Sequence, residues 1–202
     1  MDAPLVLRVA RIVERTVAEG PGLRLALWVQ GCHVRCPGRC NPHFFAPEGG
    51  TTRSIDDIAR LIDATRDGVG LLDGVTFLGG EPFEQPAALA AIGLHARTRG
   101  LSVMTFTGHV LEDLRAMPDP GVAQLLAATD LLVDGRYEAS LPERARRWAG
   151  SSNQRFHYLT DRIARGVEII GAGESERVVE LRIAADGSVD VNGWPELRPR
   201  MR

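Results

Sequence analysis

Three cysteines, Cys32, Cys36 and Cys40, lie in the short stretch GCHVRCPGRCNP and are the only cysteines among 202 residues. Cysteine binds metal as the thiolate, and soft sulfur ligands select zinc, Cu(I) or iron–sulfur clusters. A structural zinc site needs four ligands, so the fourth would be His33 or His43 from the same loop. A cubane cluster held by three cysteines leaves one iron open to a substrate or cofactor. The spacing therefore favours an open iron–sulfur site over a zinc site.

A second group of residues suited to chemistry lies in FLGGEPFEQP, residues 77–86, where another apolar run ends. Gly79 and Gly80 permit close backbone approach to a ligand, and the Glu81 carboxylate could accept hydrogen bonds from an ammonium group. Taken alone, the same residues are typical of an ordinary turn between a strand and a helix. Together with the cysteine loop they indicate a ligand site.

The elements that must position these residues follow an alternating order. Helical patterns separate short apolar runs, and Ser54 with Asp57 predicts a capped helix start. This order predicts an α/β fold whose functional loops follow the carboxyl ends of buried parallel strands. The predicted strands are LRLALWVQ from Leu23, VTFLG from Val75, LSVMTF from Leu101 and DLLVD from Asp130.

The C-terminal part has a different pattern. Val179, Leu181 and Ile183 alternate with polar residues before Asp186-Gly187, which is a hairpin turn signal. We therefore expect a terminal antiparallel hairpin over residues 177–194, appended to the sheet. We expect a single domain over residues 1–202, with an N-terminal strand and turn in 1–22 and a cluster loop in 31–47.

Composition excludes several classes of function. The net charge is -2, which does not favour binding to nucleic acid or to an anionic membrane. All 24 basic residues are arginine, so Schiff-base catalysis and a phosphate-loop lysine are excluded. The N-terminus lacks the pattern of a signal peptide, and no apolar run approaches the roughly 20 residues of a membrane span. We expect a cytoplasmic protein that binds neither nucleic acid nor a membrane.

Five segments, taken in order, resemble the radical S-adenosylmethionine (SAM) superfamily. The resemblance is strongest to the small activating proteins of anaerobic ribonucleotide reductase and their single-cluster relatives. The segments are EGPGLRLALWVQGC from Glu19, GGEP at Gly79 to Pro82, MTFTGHVLEDL from Met104, DLLVDGRYE from Asp130 and GSSNQR from Gly150.

The resemblance implies an incomplete parallel (β/α) barrel of the radical SAM type with a C-terminal antiparallel hairpin. It implies a 4Fe-4S cluster held by Cys32, Cys36 and Cys40, and SAM bound by Gly79, Gly80, Glu81, Pro82, Thr107 and Gly108. Its activity would be reductive cleavage of SAM to a 5'-deoxyadenosyl radical, which abstracts hydrogen from a glycine of a large glycyl-radical polypeptide. The electron donor would be a reduced protein of the flavodoxin or ferredoxin type.

One feature departs from the family pattern. The family has C-x3-C-x2-C, whereas this chain has C-x3-C-x3-C, with Arg39 where the third ligand is expected and Cys40 one residue later. A shift of one residue moves a Cα by up to about 3.8 Å, so the loop must rearrange for Cys40 to bind iron. Three alternatives stay open: a radical enzyme that modifies a peptide or small molecule, a zinc-binding module, and a degenerate non-catalytic relative.

Near residue 150, Arg144, Arg146, Arg147 and Trp148 form a basic and aromatic group. Arginine and tryptophan are enriched at interface hot spots, so a partner-docking surface is one interpretation. A solvated helix face is the other.

Overall fold

The computed structural model describes residues 5–37, 41–70, 72–170 and 178–193. Within these ranges, strands and helices alternate through the middle of the chain. Their bounds are β1 Val6–Thr16, β2 Arg24–Val29, β3 Thr51–Ser54, α1 Ile55–Val69, β4 Gly74–Gly79, α2 Pro86–Thr98, β5 Ser102–Phe106, α3 Leu111–Ala116, α4 Pro120–Ala128, β6 Leu131–Asp134, β7 Arg155–Tyr158, β8 Val179–Ile183 and β9 Val189–Gly193.

The main sheet has seven strands in the order β3-β1-β2-β4-β5-β6-β7. Its central strands β2, β4, β5 and β6 are parallel, whereas β1, β3 and β7 join in antiparallel pairs. The four parallel strands are the four apolar runs of the sequence, so that prediction is confirmed. Because Val29 pairs with Gly79, β2 and β4 end at the same level of the sheet.

The helices cover one face of this sheet. Leu27 and Phe77 point to that face and share a buried core with Ile62 of α1 and Leu89 of α2. The Ser54 side chain accepts a hydrogen bond from the backbone N–H of Asp57 at the start of α1, as its sequence predicts. Alternation along the strands turns Trp28 and Leu78 to the opposite face.

The C-terminal hairpin forms, but its predicted attachment to the sheet is wrong. Among the described residues, strands β8 and β9 pair only with each other, as a separate two-stranded sheet. The hairpin contacts the end of β1 through polar side chains, including Asn192, whose Nδ2 donates to Thr16 Oγ1. Side-chain contacts replace the backbone ladder that joining the sheet would require.

The architecture is therefore mixed α/β with parallel central strands and a separate antiparallel hairpin. In the ranges that the structure covers, no helix has both the length and the apolar character required to cross a membrane.

Candidate functional site

The cysteine loop begins where β2 ends. Its two arms are joined by backbone hydrogen bonds from Gly31 N to Phe44 O (2.9 Å) and from Cys32 N to Phe45 O (3.1 Å). Cys32 and Cys36 are only 2% and 3% exposed. They pack in one cluster with Val34, Phe45 and Tyr137. The third predicted ligand, Cys40, lies outside the described residues.

Two glutamines hold this loop against the sheet, and the sequence reading did not identify them. Gln30 Nε2 donates to the carbonyls of Ala46 (2.6 Å) and His43 (3.1 Å) on the returning arm. Gln85 Nε2 donates to Gln30 O (3.0 Å), while its Oε1 accepts from Arg8 N (2.7 Å). A polar Gln30 directly after the apolar run Leu25–Val29 was the available sequence signal.

The Gly79–Pro82 turn lies directly against the start of the cysteine loop. Gly80 N donates to Val29 O and Glu81 N donates to Gly31 O, both at 2.8 Å. A Cβ at Gly80 would lie 1.9 Å from the Gly31 carbonyl oxygen, so only glycine fits this approach. The loops that follow β2 and β4 are therefore in backbone contact.

Glu81 connects this turn to the loop that follows β5. Its carboxylate is fully buried and accepts hydrogen bonds from Phe83 N, Thr107 Oγ1 and Gly108 N at 2.9 to 3.0 Å. Gly108 in turn lies against Val34 of the cysteine loop, since a Cβ there would meet Val34 Cγ1 at 2.8 Å. The structure thus brings together the predicted group Gly79, Gly80, Glu81, Pro82, Thr107 and Gly108, beside Cys32 and Cys36.

Asp134, the last residue of β6, stabilises the fold by contacts with neighbouring elements. Its buried carboxylate accepts from Leu111 N (2.7 Å) and from the Arg155 guanidinium (2.5 and 2.9 Å). These contacts tie α3 and β7 to the end of β6.

A cavity of about 420 Å³ opens on the face of the sheet that lacks the helices, and we call it the central cavity. The ends of β4 and β5 reach it through Gly79 and Phe106, and the cysteine loop borders it through Asn41. Three walls complete it: residues 17–22 with Trp28, residues 146–150 with Gln154, and Tyr137. The cavity therefore borders the cysteine loop and is lined by both apolar and polar residues.

The electrostatics of the central cavity centre on Glu19. Burial raises the pKa of Glu19 to about 7, although the Gly193 N–H and Arg11 oppose the rise. Arg146 and Arg147 line another wall beside Trp148. Trp148 has φ 64°, a left-handed conformation that is strained for a bulky residue. Trp148, Arg146 and Arg147 of the basic and aromatic group thus line the cavity.

The donor set fits an iron–sulfur cluster better than a hard cation. Two buried thiols lie among apolar side chains, and sulfur ligands in such surroundings select soft metals. No group of three histidine, cysteine or acidic side chains suited to a metal occurs among the described residues, a set that excludes Cys40. Cys32 and Cys36 are therefore suited by their chemistry to a soft metal or an iron–sulfur cluster.

Comparisons with known proteins agree with this chemistry. Residues 18–157 match the family model described as a 4Fe-4S single cluster domain. Two curated relatives carry the name anaerobic ribonucleoside-triphosphate reductase-activating protein. The protein from Salmonella typhimurium is 32% identical over 149 residues, covering 71% of this chain and 93% of its own length. The protein from Enterobacteria phage T4 is 29% identical over 156 residues, covering 75% and 94%.

The solved structure of QueE from Escherichia coli is similar over 51% of this chain and 53% of the QueE chain, with 19% sequence identity and a TM-score of 0.41.

The match to the 4Fe-4S model spans more than half of the chain, so the chain belongs to the class of single-cluster iron–sulfur proteins. Within that class, the chain belongs to the radical SAM family of small activating proteins of anaerobic ribonucleotide reductase. The predictions of family and of an activating enzyme are confirmed.

Proposed function

We propose that this chain activates a large glycyl-radical polypeptide, such as an anaerobic ribonucleotide reductase, and uses SAM and a 4Fe-4S cluster to do so. When bound, the cluster supplies the electron that cleaves SAM to the 5'-deoxyadenosyl radical that takes hydrogen from glycine. The observation that carries the proposal is the contact between the buried cysteine loop and the Gly79–Pro82 turn at the edge of the central cavity.

The first part of the proposal assigns the ligands. Cys32 and Cys36 would hold two iron atoms, since both thiols are buried at the carboxyl end of β2. Cys40 would hold the third, four residues further along the chain.

The second part assigns the SAM site. Gly79 and Gly80 offer bare backbone, and the Glu81 carboxylate orients the Thr107 hydroxyl and the Gly108 N–H. Pro82 begins the short 3-10 turn that Glu81 caps. A carboxylate has about four acceptor positions and Glu81 uses three, which leaves one for an ammonium group. The chain's own contribution is to orient the cofactor and to exclude water from it.

The remaining parts concern partners and architecture. The electron donor would be a reduced protein of the flavodoxin or ferredoxin type, and the location would be cytoplasmic. Residues 1–202 would form one domain, with the main sheet curved as an incomplete barrel around the central cavity. The electron donor, the location and the extent of the domain follow from the family resemblance. The incomplete barrel also follows from it and agrees with the open strand order of the described sheet.

Anaerobic reconstitution tests the function. The chain is loaded with iron and sulfide, reduced with dithionite and supplied with SAM, and 5'-deoxyadenosine is measured. We expect 5'-deoxyadenosine without partner, and a glycyl radical signal by electron paramagnetic resonance when the reductase polypeptide of the same genome is added. A formed cluster without 5'-deoxyadenosine would refute the radical mechanism. 5'-Deoxyadenosine with no radical on the reductase would favour a peptide or small-molecule substrate.

Cys40→Ala tests the shifted third ligand in the same assay. We expect cluster iron to fall severalfold and 5'-deoxyadenosine to disappear, because two thiolates do not hold a cubane. Arg39→Ala is the matched control, and we expect it to keep its cluster. Full iron content in Cys40→Ala would show that Cys40 is not a ligand.

A further inference from the structure

The C-terminal hairpin, β8 and β9, lies beyond the matched family domain, which ends at residue 157. The alignments with the two relatives above cover 93% and 94% of the relatives' length but only 71% and 75% of this chain. This chain is therefore longer than those activating proteins. The hairpin nevertheless reaches the central cavity, since Val178 and Gly193 belong to the cavity lining.

The polar face of the hairpin holds the end of β1. Asn192 Nδ2 donates to Thr16 Oγ1 at 2.6 Å, and both residues are buried. Glu180 Oε1 accepts a hydrogen bond from Val17 N at 2.8 Å. These two bonds fix the backbone where it leaves β1 and begins to line the cavity.

Two further contacts reach the cavity wall itself. The Arg11 guanidinium binds both carboxylate oxygens of Asp190 at 2.7 Å and lies 5.1 Å from the centre of the Trp28 ring. Gly193 lines the cavity with Glu19, and the Gly193 N–H lowers the pKa of that carboxyl against the effect of burial. Trp28 and Glu19 both line the cavity, so the hairpin supports this wall at two places.

The hairpin leaves its apolar side chains exposed, which is energetically unfavourable, so its polar contacts indicate a role other than core packing. Its apolar face points outward, and Leu181 and Ile183 are 66% and 75% exposed. A hairpin that served only to add to the core would bury this face, since apolar burial is the dominant favourable term in folding. The arrangement instead directs the polar face toward residues 16–19.

From these contacts we propose that the hairpin Val179–Gly193 is a pocket clamp. It fixes residues 16–19, and with them the Glu19 carboxyl, as a wall that positions an extended segment of the partner polypeptide in the central cavity. An extended segment presents backbone N–H groups, for which a carboxylate is a strong acceptor. The hairpin residues act through Glu19 and Trp28 and are positioning residues. The inference rests on the proposed function, because it assumes that a polypeptide enters the cavity.

The test uses Thr16→Val and Glu180→Ala in the reconstituted full chain. Each variant removes one of the two main hydrogen bonds of the pocket clamp. Thr16→Val also removes the acceptor of Ala18 N, and Glu180→Ala also removes the longer contact of 3.4 Å with Asn192 Nδ2. Glu180→Ala lies at the less buried contact if Thr16→Val fails to fold. The KM for the reductase polypeptide is measured from the rate of the glycyl radical signal. We expect both variants to raise this KM about tenfold, the effect of losing one part-buried hydrogen bond. We expect kcat and 5'-deoxyadenosine formation without partner to stay within about twofold.

Conservative variants separate positioning from general damage. Thr16→Ser keeps the hydroxyl acceptor and Glu180→Gln keeps the acceptor for Val17 N, so we expect both to retain the wild-type KM. An unchanged KM in Thr16→Val and Glu180→Ala would overturn the pocket clamp, as would an equal loss of partner-free cleavage. If the wild type forms no 5'-deoxyadenosine, the proposed function fails and the inference falls with it. If the wild type forms the glycyl radical and the KM does not change, only the inference fails.

Discussion

Glu81 is a fully buried carboxyl residue and Glu19 a partly buried one, and their surroundings differ. The Glu81 carboxylate accepts three hydrogen bonds that join the loops after β4 and β5. Glu19 lies in the cavity wall, where burial raises its pKa to about 7. Glu81 thus serves the geometry of the site through its hydrogen bonds, whereas the charge of Glu19 changes near neutral pH.

Glu81→Gln tests the role of these three hydrogen bonds. A glutamine can accept from Phe83 N and Thr107 Oγ1, but its NH₂ group would face the Gly108 N–H, so one buried donor loses its acceptor. We expect the free energy of unfolding in urea to fall by about 1–3 kcal/mol. We expect SAM binding to the reconstituted protein to weaken as well. Glu48→Gln, at an exposed position, is the control, and an equal effect in both variants would contradict the assignment.

Glu19 predicts a pH dependence of stability. Its pKa is raised from 4.5 to about 7 in the folded chain, so the folded state favours the neutral form. As the pH rises above about 4.5, the carboxyl of the unfolded chain ionises first, and stability is lost until the pH passes about 7. We expect the free energy of unfolding of wild type to fall relative to Glu19→Gln between pH 5 and 7. Urea titrations at each pH measure this difference, and exposed Glu14→Gln should show none of it.

At the scale of elements, the loops after β2, β4 and β5 form one unit. Gly80 and Glu81 bond to the backbone of Val29 and Gly31, and Glu81 then reaches Thr107 and Gly108. Because Val29 and Gly79 are paired in parallel strands, the two loops start at the same level. The sheet register therefore decides that these loops meet.

Gly80→Ala tests this contact between elements. The new Cβ would lie 1.9 Å from a backbone oxygen of Gly31, so the two loops must separate. We expect a loss of about 1–3 kcal/mol in the free energy of unfolding and a lower iron content after reconstitution. Gly68→Ala, in α1 where a Cβ meets nothing within 4 Å, should be neutral or stabilising by up to about 1 kcal/mol. Equal stability losses in the two variants would show that the close contact between Gly80 and Gly31 is not what makes Gly80 necessary.

Across the whole molecule, the carboxyl ends of the parallel strands hold the site residues, and the amino ends contribute to stability. The site residues lie at the carboxyl ends of the parallel strands, whereas Arg24 lies fully buried at the amino ends. Its guanidinium donates to Thr76 Oγ1 (2.7 Å), Val75 O (2.6 Å) and Ser102 O (3.1 Å), which joins β2, β4 and β5. Burial lowers the pKa of Arg24 to about 10, so it remains a cation at neutral pH.

Arg24→Met tests this separation of tasks. Methionine fills much of the volume but leaves the carbonyls of Val75 and Ser102 without their donor. We expect the free energy of unfolding to fall by about 3 kcal/mol, with SAM cleavage per cluster unchanged below the melting temperature. Arg24→Lys should not restore stability, because an ammonium lacks the planar fork of donors. Exposed Arg53→Met is the control, and wild-type stability in Arg24→Met would refute this role.

Several features were determined by the sequence alone, because their signals are local. Apolar runs identify the four parallel strands, Ser54 and Asp57 identify the start of α1, and cysteine spacing indicates cluster chemistry. The family resemblance added the Gly79–Pro82 turn and Thr107-Gly108 as one site. Apart from the resemblance, each of these predictions needs only residues that are close in the chain.

Other features were decided only by the tertiary structure. Glu81 meets Thr107 and Gly108 across 26 and 27 residues of chain, and Gln85 meets Arg8 across 77. The hairpin turns its polar face inward because Asn192 and Glu180 find partners at Thr16 and Val17, 176 and 163 residues away. Alternation in a strand specifies two faces but does not say which one is buried. That choice depends on which distant polar groups the crossovers and the register bring within hydrogen-bonding distance.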